Sequence, residues 1–264
     1  MVYRAERQLK KLNNIMEIKV YKDYENLSDA VAQTMVDLVK QKPGAVICLA
    51  SGHTPLLPCQ DFEKKVKEEN IDISNITFLG LDEWVGVPPE NEGSCHYFLY
   101  STVFNPLGLK PNQVHVFDGM SNDLEGECKK MDVIINAKGG IDLMIVGIGM
   151  NGHIGFNEPG VSFKNYSHVI GLDDTTLSVG QKYFSSATSL SKGITIGLQH
   201  LMEAKKVILI ANGEKKSGII KQSVEEKVSD KIPATILQTH PNSYIMIDKA
   251  AASQLSENIV HEIK

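Results

Sequence analysis

Short apolar runs alternate along the chain with longer segments whose apolar residues recur at helical spacing. The runs that predict strands are residues 45–50, 76–81, 113–117, 143–146, 207–211 and 243–248. The segments that predict helices are residues 26–41, 94–104, 123–137 and 217–226, and a further helix starting at residue 54 or 55. This alternation predicts an α/β protein with an open, mostly parallel, doubly wound sheet and helices on both faces.

Four of these strands end in polar or glycine-containing loops. In chain order the loops read SGHTP, LDEW, GIGMNGH and NGEKK. In an open parallel sheet the carboxyl ends of the strands share one edge, and ligands bind there. We therefore expect one edge to bring together a helix N-terminus, lysines, two carboxylates and a histidine. The first two suit a phosphate group, and the others suit proton transfer.

The first loop consists of Ser51, Gly52, His53 and Thr54. Thr54 is expected to cap the next helix, with Pro55 in its first turn. Free backbone N–H groups and the helix dipole make such a loop a site for phosphate, although an ordinary strand–helix turn has the same pattern.

Lysines also occur where positive charge is unfavourable. Lys215 and Lys216 precede the helix predicted at residues 217–226, against the preference of the helix dipole. A bound anion would explain them, and a solvated run of charge is the alternative. The polar segment at residues 162–181 is expected to be a long loop or lid that ends near Lys182.

Candidate acid–base groups follow two other strands. Asp82 and Glu83 precede Trp84, the single tryptophan of the chain. A carboxylate in such a partly apolar setting can have a raised pKa and act as a general base, whereas a solvated acidic turn is the alternative. His153 and Glu158 follow a glycine-rich turn, a combination typical of a pocket rim.

The glycines of that turn also match a nucleotide-binding pattern. Gly147, Gly149 and Gly152 fit GxGxxG, and Asp173 and Asp174 stand where a ribose-binding acid is expected. That pattern needs a helix starting at the third glycine, but glycines and a proline at residues 155–160 interrupt one. We therefore interpret the glycines as a tight turn and expect no dinucleotide.

Composition narrows the class of protein. The chain has 264 residues and a net charge of −5, which argues against nucleic-acid binding, and no apolar run is long enough for a membrane span. Residues 1–15 are basic but lack the apolar centre of a signal peptide, so we expect an N-terminal extension, disordered or a short helix. The four cysteines show no CxxC pairing, which favours a cytoplasmic protein.

Three motifs together resemble a known family. LASGHTPLL, FLGLDEWVGVP and GIGMNGHIGFNEPG, in this order, are similar to glucosamine-6-phosphate deaminases, and the resemblance begins at about residue 16. The LDEWVG form and GSCHYFL at residues 93–99 are most similar to the galactosamine-6-phosphate isomerase/deaminase branch. The resemblance implies a single catalytic domain, residues 16–264, with a modified dinucleotide-binding topology. It also implies that an amino-sugar 6-phosphate is converted to a ketose 6-phosphate and ammonia without a metal or organic cofactor.

The resemblance assigns roles to the acid–base groups. Asp82 matches the base that moves a proton between C2 and C1 of the sugar. His153 matches the group that opens the pyranose ring, and Glu158 matches the carboxylate that orients this histidine.

The resemblance also assigns the binding residues. The loop at residues 51–54 matches the phosphate loop, and Lys216 matches a phosphate-binding lysine. Glu83 and Gly149 are expected to contact the substrate as well.

Two residues depart from the best-known pattern of the family. Asn151 stands where many members have an aspartate; an amide cannot take a proton, so Asn151 can only orient or hydrogen-bond His153. Lys182 stands where an arginine often grips the phosphate, and lysine keeps the charge but loses the bidentate fork. We still expect an active enzyme, with Glu158 as the carboxylate partner of the histidine.

Two other functions fit part of the pattern. A 6-phosphogluconolactonase shares the expected fold and phosphate loop, but its hydrolysis needs no C2 proton transfer and leaves Asp82 without a role. A non-catalytic sugar-phosphate sensor would bind without turnover, and paired acid–base groups exceed what binding requires. The residues do not distinguish glucosamine from galactosamine, and they leave the oligomeric state open, a homo-oligomer included.

Overall fold

The computed structural model describes residues 16–256, 259, 261 and 262. The expected N-terminal extension, residues 1–15, lies outside this part of the chain. None of the helices described is both long and apolar enough to cross a membrane.

A parallel sheet and a smaller antiparallel sheet organise the described residues. The strands are β1 (Glu17–Tyr21), β2 (Val46–Leu49), β3 (Thr77–Gly80), β4 (Asp82–Trp84), β5 (Val114–His115), β6 (Leu143–Val146), β7 (His168–Gly171), β8 (Lys192–Thr195), β9 (Val207–Ala211), β10 (Ser243–Asp248) and β11 (His261–Glu262). The parallel sheet has the order β11-β1-β10-β9-β6-β2-β3-β5, and the small sheet has the order β4-β8-β7. The prediction of a mostly parallel sheet is confirmed.

Helices connect the strands of the parallel sheet. The α-helices are α1 (Tyr24–Gln41), α2 (His53–Glu68), α3 (Cys95–Leu99), α4 (Leu124–Ala137), α5 (Asp174–Gly180), α6 (Leu198–Glu203) and α7 (Ser217–Glu225). A π-helical turn, Tyr100–Phe104, continues α3. Short 3-10 segments occupy Pro111–Gln113, Gln181–Tyr183, Glu214–Lys216 and Pro233–Thr239.

The helices cover both faces of the parallel sheet because successive strand residues point to opposite faces. On β2, Val46 and Cys48 belong to the apolar cluster that includes residues of α4, α6 and α7. Ile47 and Leu49 belong to the cluster that includes residues of α1 and α2. Strands buried on both faces read as continuous apolar runs, which is why the sequence pattern revealed them.

Strand β2 marks the point where the strand order reverses. It pairs with β3 on one side and with β6 on the other, and β9 pairs with β6 beyond it. In open α/β sheets, ligands bind in the crevice at the carboxyl ends of the strands that flank such a reversal. The loops that follow β2, β3, β6 and β9 therefore lie along one edge, as expected.

Two segments differ from their expected structure. Residues 82–84 form β4 rather than a loop, because they pair antiparallel with β8. Residues 162–181 are not one long loop, since they contain β7 and α5. Strand β7 lies at an edge of the small sheet and is not fully buried, so its sequence lacks the apolar run of a central strand.

Gly197, which lies between β8 and α6, offers a test of how this connection packs against the backbone of residues 165 and 166. A Cβ atom at Gly197 would lie 2.1 Å from the carbonyl oxygen of Tyr166, and backbone atoms cannot move aside as side chains can. We expect Gly197→Ala to lower the free energy of unfolding by about 1–3 kcal/mol, the usual cost of overpacking. Gly44→Ala is the matched control, because its Cβ atom would have no neighbour within 4 Å. Equal unfolding free energies of the two variants in urea titrations would contradict this packing.

Candidate active site

A cavity of about 420 Å³ opens at the edge where β2, β3 and β6 end. The site residues predicted from the sequence that line it are Ser51, Gly52, His53, Thr54, Asp82, Gly149, His153, Lys182 and Lys216. Distant parts of the chain therefore meet around one space. Asn151 and Glu158 contact His153 from behind this lining, and Glu83 points elsewhere.

The loop after β2 presents the N-terminus of α2 to the cavity. The helix begins at His53, and its capping residue Gly52 has φ 119°, a conformation that favours glycine. Within the part of the chain that the structure describes, no side chain caps this helix, so its first backbone N–H groups are available to an anion. The expected cap by Thr54 is wrong, because Thr54 lies inside the helix. Its Oγ1 donates instead to Oδ1 of Asn212, 2.7 Å away.

Lys182 and Lys216 give the cavity positive charge. Burial, and after it the charge of Lys182, lowers the pKa of Lys216 to about 8. Burial, and after it the charge of Lys215, also lowers the pKa of Lys182. Such shifts mean that burial in the cavity disfavours the charged forms of the two lysines, whereas an anion beside them would favour these forms.

Strand β4 turns the side chain of Asp82 into the cavity. Burial raises the pKa of Asp82 to about 7, the neighbouring Glu83 adds to this rise, and the Cys95 side chain opposes it. Trp84 contributes apolar surface nearby, with its ring centre 4.6 Å from that of Phe156. A carboxyl group that titrates near pH 7 can both accept a proton and return it.

Glu83 does not line the cavity, which corrects its expected contact with the substrate. Adjacent residues of a strand point to opposite sides, so Glu83 faces away from Asp82 and is 3% exposed. Its carboxylate accepts the backbone N–H groups of Trp84 at 2.8 Å, Cys95 at 3.0 Å and His96 at 2.7 Å. Burial raises the pKa of Glu83 to about 7, and these donors oppose the rise. Glu83 thus ties the start of α3 to β4 and holds Cys95 beside Asp82.

His153 presents one ring nitrogen to the cavity and the other to a buried network. A Cβ atom at Gly149 would lie 2.4 Å from Nε2, so only glycine leaves room for the ring. Nδ1 lies 3.2 Å from Oε2 of Glu158 and 3.0 Å from Oγ1 of Thr176. Because a carboxylate only accepts, it favours hydrogen on Nδ1 and leaves Nε2 as the acceptor.

Glu158 holds this network together and is 3% exposed. Burial acts to raise its pKa, but the interactions with His153, Thr176 and Asn151 outweigh burial, and the pKa is lowered. Nδ2 of Asn151 donates to Oε2 of Glu158 at 2.9 Å, and Oδ1 of Asn151 accepts the N–H of His153 at 3.2 Å. The amide therefore orients the histidine and its carboxylate without exchanging a proton.

Sequence reasoning missed Thr176 and the placement of Cys95. Thr176 is 3% exposed and lies on α5, a helix of seven residues that is too short to show apolar periodicity. A usable signal was Asp173, whose side chain accepts the N–H of Thr175 and caps α5. Cys95 has no local signal, because its contact with Asp82 depends on how α3 packs against β4.

The glycine turn does not form a dinucleotide site. No helix begins at Gly152, since residues 153–160 form turns and an isolated bridge between Ile154 and Asn157. Among the residues with described positions, no three His, Cys, Asp or Glu side chains are grouped to hold a metal ion.

The fold and the cavity define an α/β protein in which a helix N-terminus, two lysines and candidate acid–base groups surround one space. Residues 22–246 match the family described as glucosamine-6-phosphate isomerases/6-phosphogluconolactonase. The chain belongs to this family.

Relatives over nearly the whole chain are named glucosamine-6-phosphate deaminase. The one from Thermoanaerobacter pseudethanolicus is 40% identical over 250 residues, which cover 94% of this chain and 99% of the relative. The one from Clostridium acetobutylicum is 37% identical over 241 residues, which cover 91% of this chain and 100% of the relative. These relatives confirm the resemblance to the deaminases, and the closer similarity to the galactosamine branch stays a prediction.

Solved structures show the same fold. A monomeric glucosamine-6-phosphate deaminase superposes with a TM-score of 0.87 at 34% identity, covering 90% of this chain and 99% of that one. The 6-phosphogluconolactonase of Trypanosoma brucei superposes with a TM-score of 0.72 at 18% identity, covering 91% of this chain and 99% of that one. The second likeness concerns the fold alone.

Lys216 tests whether the cavity is an anion site. Lys216→Met keeps most of the side-chain volume and removes the charge. We expect the dissociation constant for inorganic phosphate, measured by calorimetry at pH 7, to rise at least about tenfold, as for a lost hydrogen bond to a charged group. Lys221→Met is the matched control, because Lys221 pairs with Glu225 on α7 and does not line the cavity. A similar loss in both variants would argue against an anion site at Lys216.

Proposed function

We propose that the protein is an amino-sugar-6-phosphate deaminase that converts glucosamine or galactosamine 6-phosphate to the ketose 6-phosphate and ammonia. The observation that carries the proposal is a single cavity lined by three features. They are a helix N-terminus with two lysines, the carboxyl group of Asp82 with a pKa of about 7, and the oriented imidazole of His153. The names of the relatives favour glucosamine 6-phosphate as the substrate. The four free cysteines fit a reducing compartment, and we place the enzyme in the cytoplasm.

The phosphate group of the substrate binds at the positive end of the cavity. It accepts hydrogen bonds from the N-terminus of α2 and is paired with Lys216 and Lys182. A phosphate dianion offsets the cost of burying two ammonium groups, so binding raises the pKa of both lysines. Lys182 acts as a point charge and sets the phosphate orientation less strictly than an arginine would.

His153 opens the pyranose ring. Nε2 takes the proton of the anomeric hydroxyl and returns a proton to the ring oxygen, which breaks the bond between C1 and that oxygen. Glu158 stabilises the imidazolium that forms between the two transfers. Thr176 and Asn151 keep the ring and the carboxylate in place.

Asp82 then transfers a proton from C2 to C1 of the open-chain sugar. Removal of the C2 proton, with a proton of the substrate ammonium group passing to the carbonyl oxygen at C1, gives an enolamine. Protonation of this enolamine at C1 gives an iminium group at C2. Water adds to the iminium carbon and ammonia leaves, so each turnover consumes one water and yields a ketone at C2. A pKa near 7 lets Asp82 hold the proton between the two steps.

The two rival functions use only part of this site. A lactonase needs a base for water and an anion site, which leaves the buried relay behind His153 unexplained. A sugar-phosphate sensor needs neither a raised pKa at Asp82 nor an oriented imidazole.

Ammonia release distinguishes these functions. The purified protein should release ammonia from glucosamine 6-phosphate or from galactosamine 6-phosphate when the two are assayed side by side, and it should not hydrolyse 6-phosphogluconolactone. Comparison of kcat/KM for the two sugars identifies the substrate. Lactone hydrolysis without ammonia release, or binding of both sugars without turnover, would refute the proposal.

Asp82→Asn tests the proton transfer. The amide keeps the shape of the side chain but cannot accept the C2 proton, so we expect kcat for ammonia release to fall by about 10²–10⁴. Binding of fructose 6-phosphate, measured by calorimetry, should change little, which shows that the cavity is intact. Near-normal turnover by this variant would exclude Asp82 as the base.

The pKa values of Asp82 and Lys216 predict a narrow pH optimum. Asp82 must be ionised to act as a base, so kcat/KM should rise with pH through about 7. Lys216 must be protonated to bind phosphate, so kcat/KM should fall as pH rises through about 8. Because arginine stays charged, Lys216→Arg should move only the alkaline limb to higher pH. An alkaline limb that stays in place in this variant would show that another group causes it.

A further inference from the structure

Both the oxygen and the nitrogen of the Asn151 side-chain amide form hydrogen bonds. Its Oδ1 accepts the backbone N–H of His153 at 3.2 Å. Its Nδ2 donates to Oε2 of Glu158 at 2.9 Å and to Oδ1 of Asp173 at 3.3 Å. The amide nitrogen thus lies between two carboxylates from separate parts of the chain.

These contacts leave one orientation for the amide. If it were flipped, its oxygen would face two carboxylate oxygens, and its N–H groups would face the N–H of His153. A carboxylate at residue 151 would have the same conflict and would add a third negative charge beside Glu158 and Asp173. The structure therefore suits an amide at 151 because a carboxylate stands at 173.

We propose that Asn151 and Asp173 are a matched pair of positioning residues that hold Glu158 against His153 for ring opening. This inference rests on the proposed function. Asp173 fixes the amide of Asn151, and the amide fixes Oε2 of Glu158, the oxygen that faces Nδ1 of His153. The backbone N–H of Asp173 also approaches Oε1 of Glu158 at 3.4 Å, so both oxygens of the carboxylate have a partner.

Asp173 has a second task that the test must separate from this one. Its Oδ1 accepts the N–H of Thr175 at 2.9 Å and so caps α5, which carries Thr176 to the histidine. Asparagine caps helices about as well as aspartate, so Asp173→Asn removes the charge and keeps the cap. Asp174→Asn is the matched control, because Asp174 is exposed on the same helix and does not line the cavity.

The test is a charge swap across the pair. Asn151→Asp alone places three carboxylates together and should lower the rate of ring opening on the order of tenfold, within the range of coupling between contacting residues. Asp173→Asn alone should cost about threefold or less, because a neutral acceptor remains. The double variant Asn151→Asp/Asp173→Asn restores one amide and one carboxylate, and it should recover part of the loss, because the amide at 173 can donate to the new carboxylate while Glu158 still faces it.

Ring opening is measured without deamination by the interconversion of the α and β anomers of glucose 6-phosphate, followed by NMR. This sugar has the ring and the phosphate but no amino group, so its anomerisation depends on the relay even if ammonia release fails. The acid limb of the pH profile for anomerisation, a reaction that needs no proton transfer by Asp82, gives a second readout. Asn151→Asp should move that limb to higher pH, because a neighbouring negative charge raises the pKa of Glu158, and the swap should move it back.

Each result decides the inference. Recovery in the double variant, with Asp174→Asn unchanged from the parent, supports the matched pair. A double variant no better than Asn151→Asp, or an Asn151→Asp variant as active as the parent, would overturn it. Absence of anomerisation in the parent protein would overturn it as well. Anomerisation with recovery by the swap but without ammonia release would refute the deaminase proposal and leave the pair standing.

Discussion

The pairing of β2 with both β3 and β6 is the constraint on which the cavity depends. Leu49 pairs with Gly80 on one side and with Ile145 on the other, so the three strands end at the same level. The loop at residues 51–54, Asp82 and the glycine turn begin within a few residues of these partners. A shift of register by one residue in one strand would exchange the residues that pack into the two apolar layers and would also separate these groups. The burial of the strands therefore fixes both the core and the site.

The cavity places charged groups of both signs where burial disfavours their charged forms. Burial raises the pKa of Asp82 and lowers that of Lys216, so the two shifts have one cause and opposite direction. Both shifts bring a group that is normally far from neutrality into the range where it responds to a ligand or a substrate proton. Glu158 behaves differently because its donors outweigh burial, and it remains a fixed negative charge. The same environment thus yields a titrating carboxyl at Asp82 and a fixed one at Glu158.

The parts predicted from sequence are those that depend on local pattern and on one topological rule. Buried parallel strands read as continuous apolar runs. The rule that their carboxyl ends share an edge predicts that Asp82 and His153 lie close together. Neither the pattern nor the rule distinguishes Asp82, which lines the cavity, from Glu83, which does not. Their opposite directions follow only from the pairing of β4 with β8, a contact between residues more than a hundred apart. Thr176 was not predicted for a different reason: its helix has seven residues, too few to show apolar periodicity.

The small sheet explains how the base and the histidine keep a fixed relation. Strand β8 pairs with β4, which carries Asp82, and Oγ1 of Thr195 on β8 accepts the N–H of Phe156, three residues after His153. Nδ2 of Asn157 donates to the carbonyl oxygens of Ile154 and Ile196 and ties the same turn to the end of β8. The parallel sheet alone would hold the two loops only at their starting points. Because β8 contacts both loops beyond those points, it sets the separation between the carboxyl group of Asp82 and the imidazole of His153, while the parallel sheet positions the loop at residues 51–54. Asp82 and His153 thus share one support, and the loop at residues 51–54 has another.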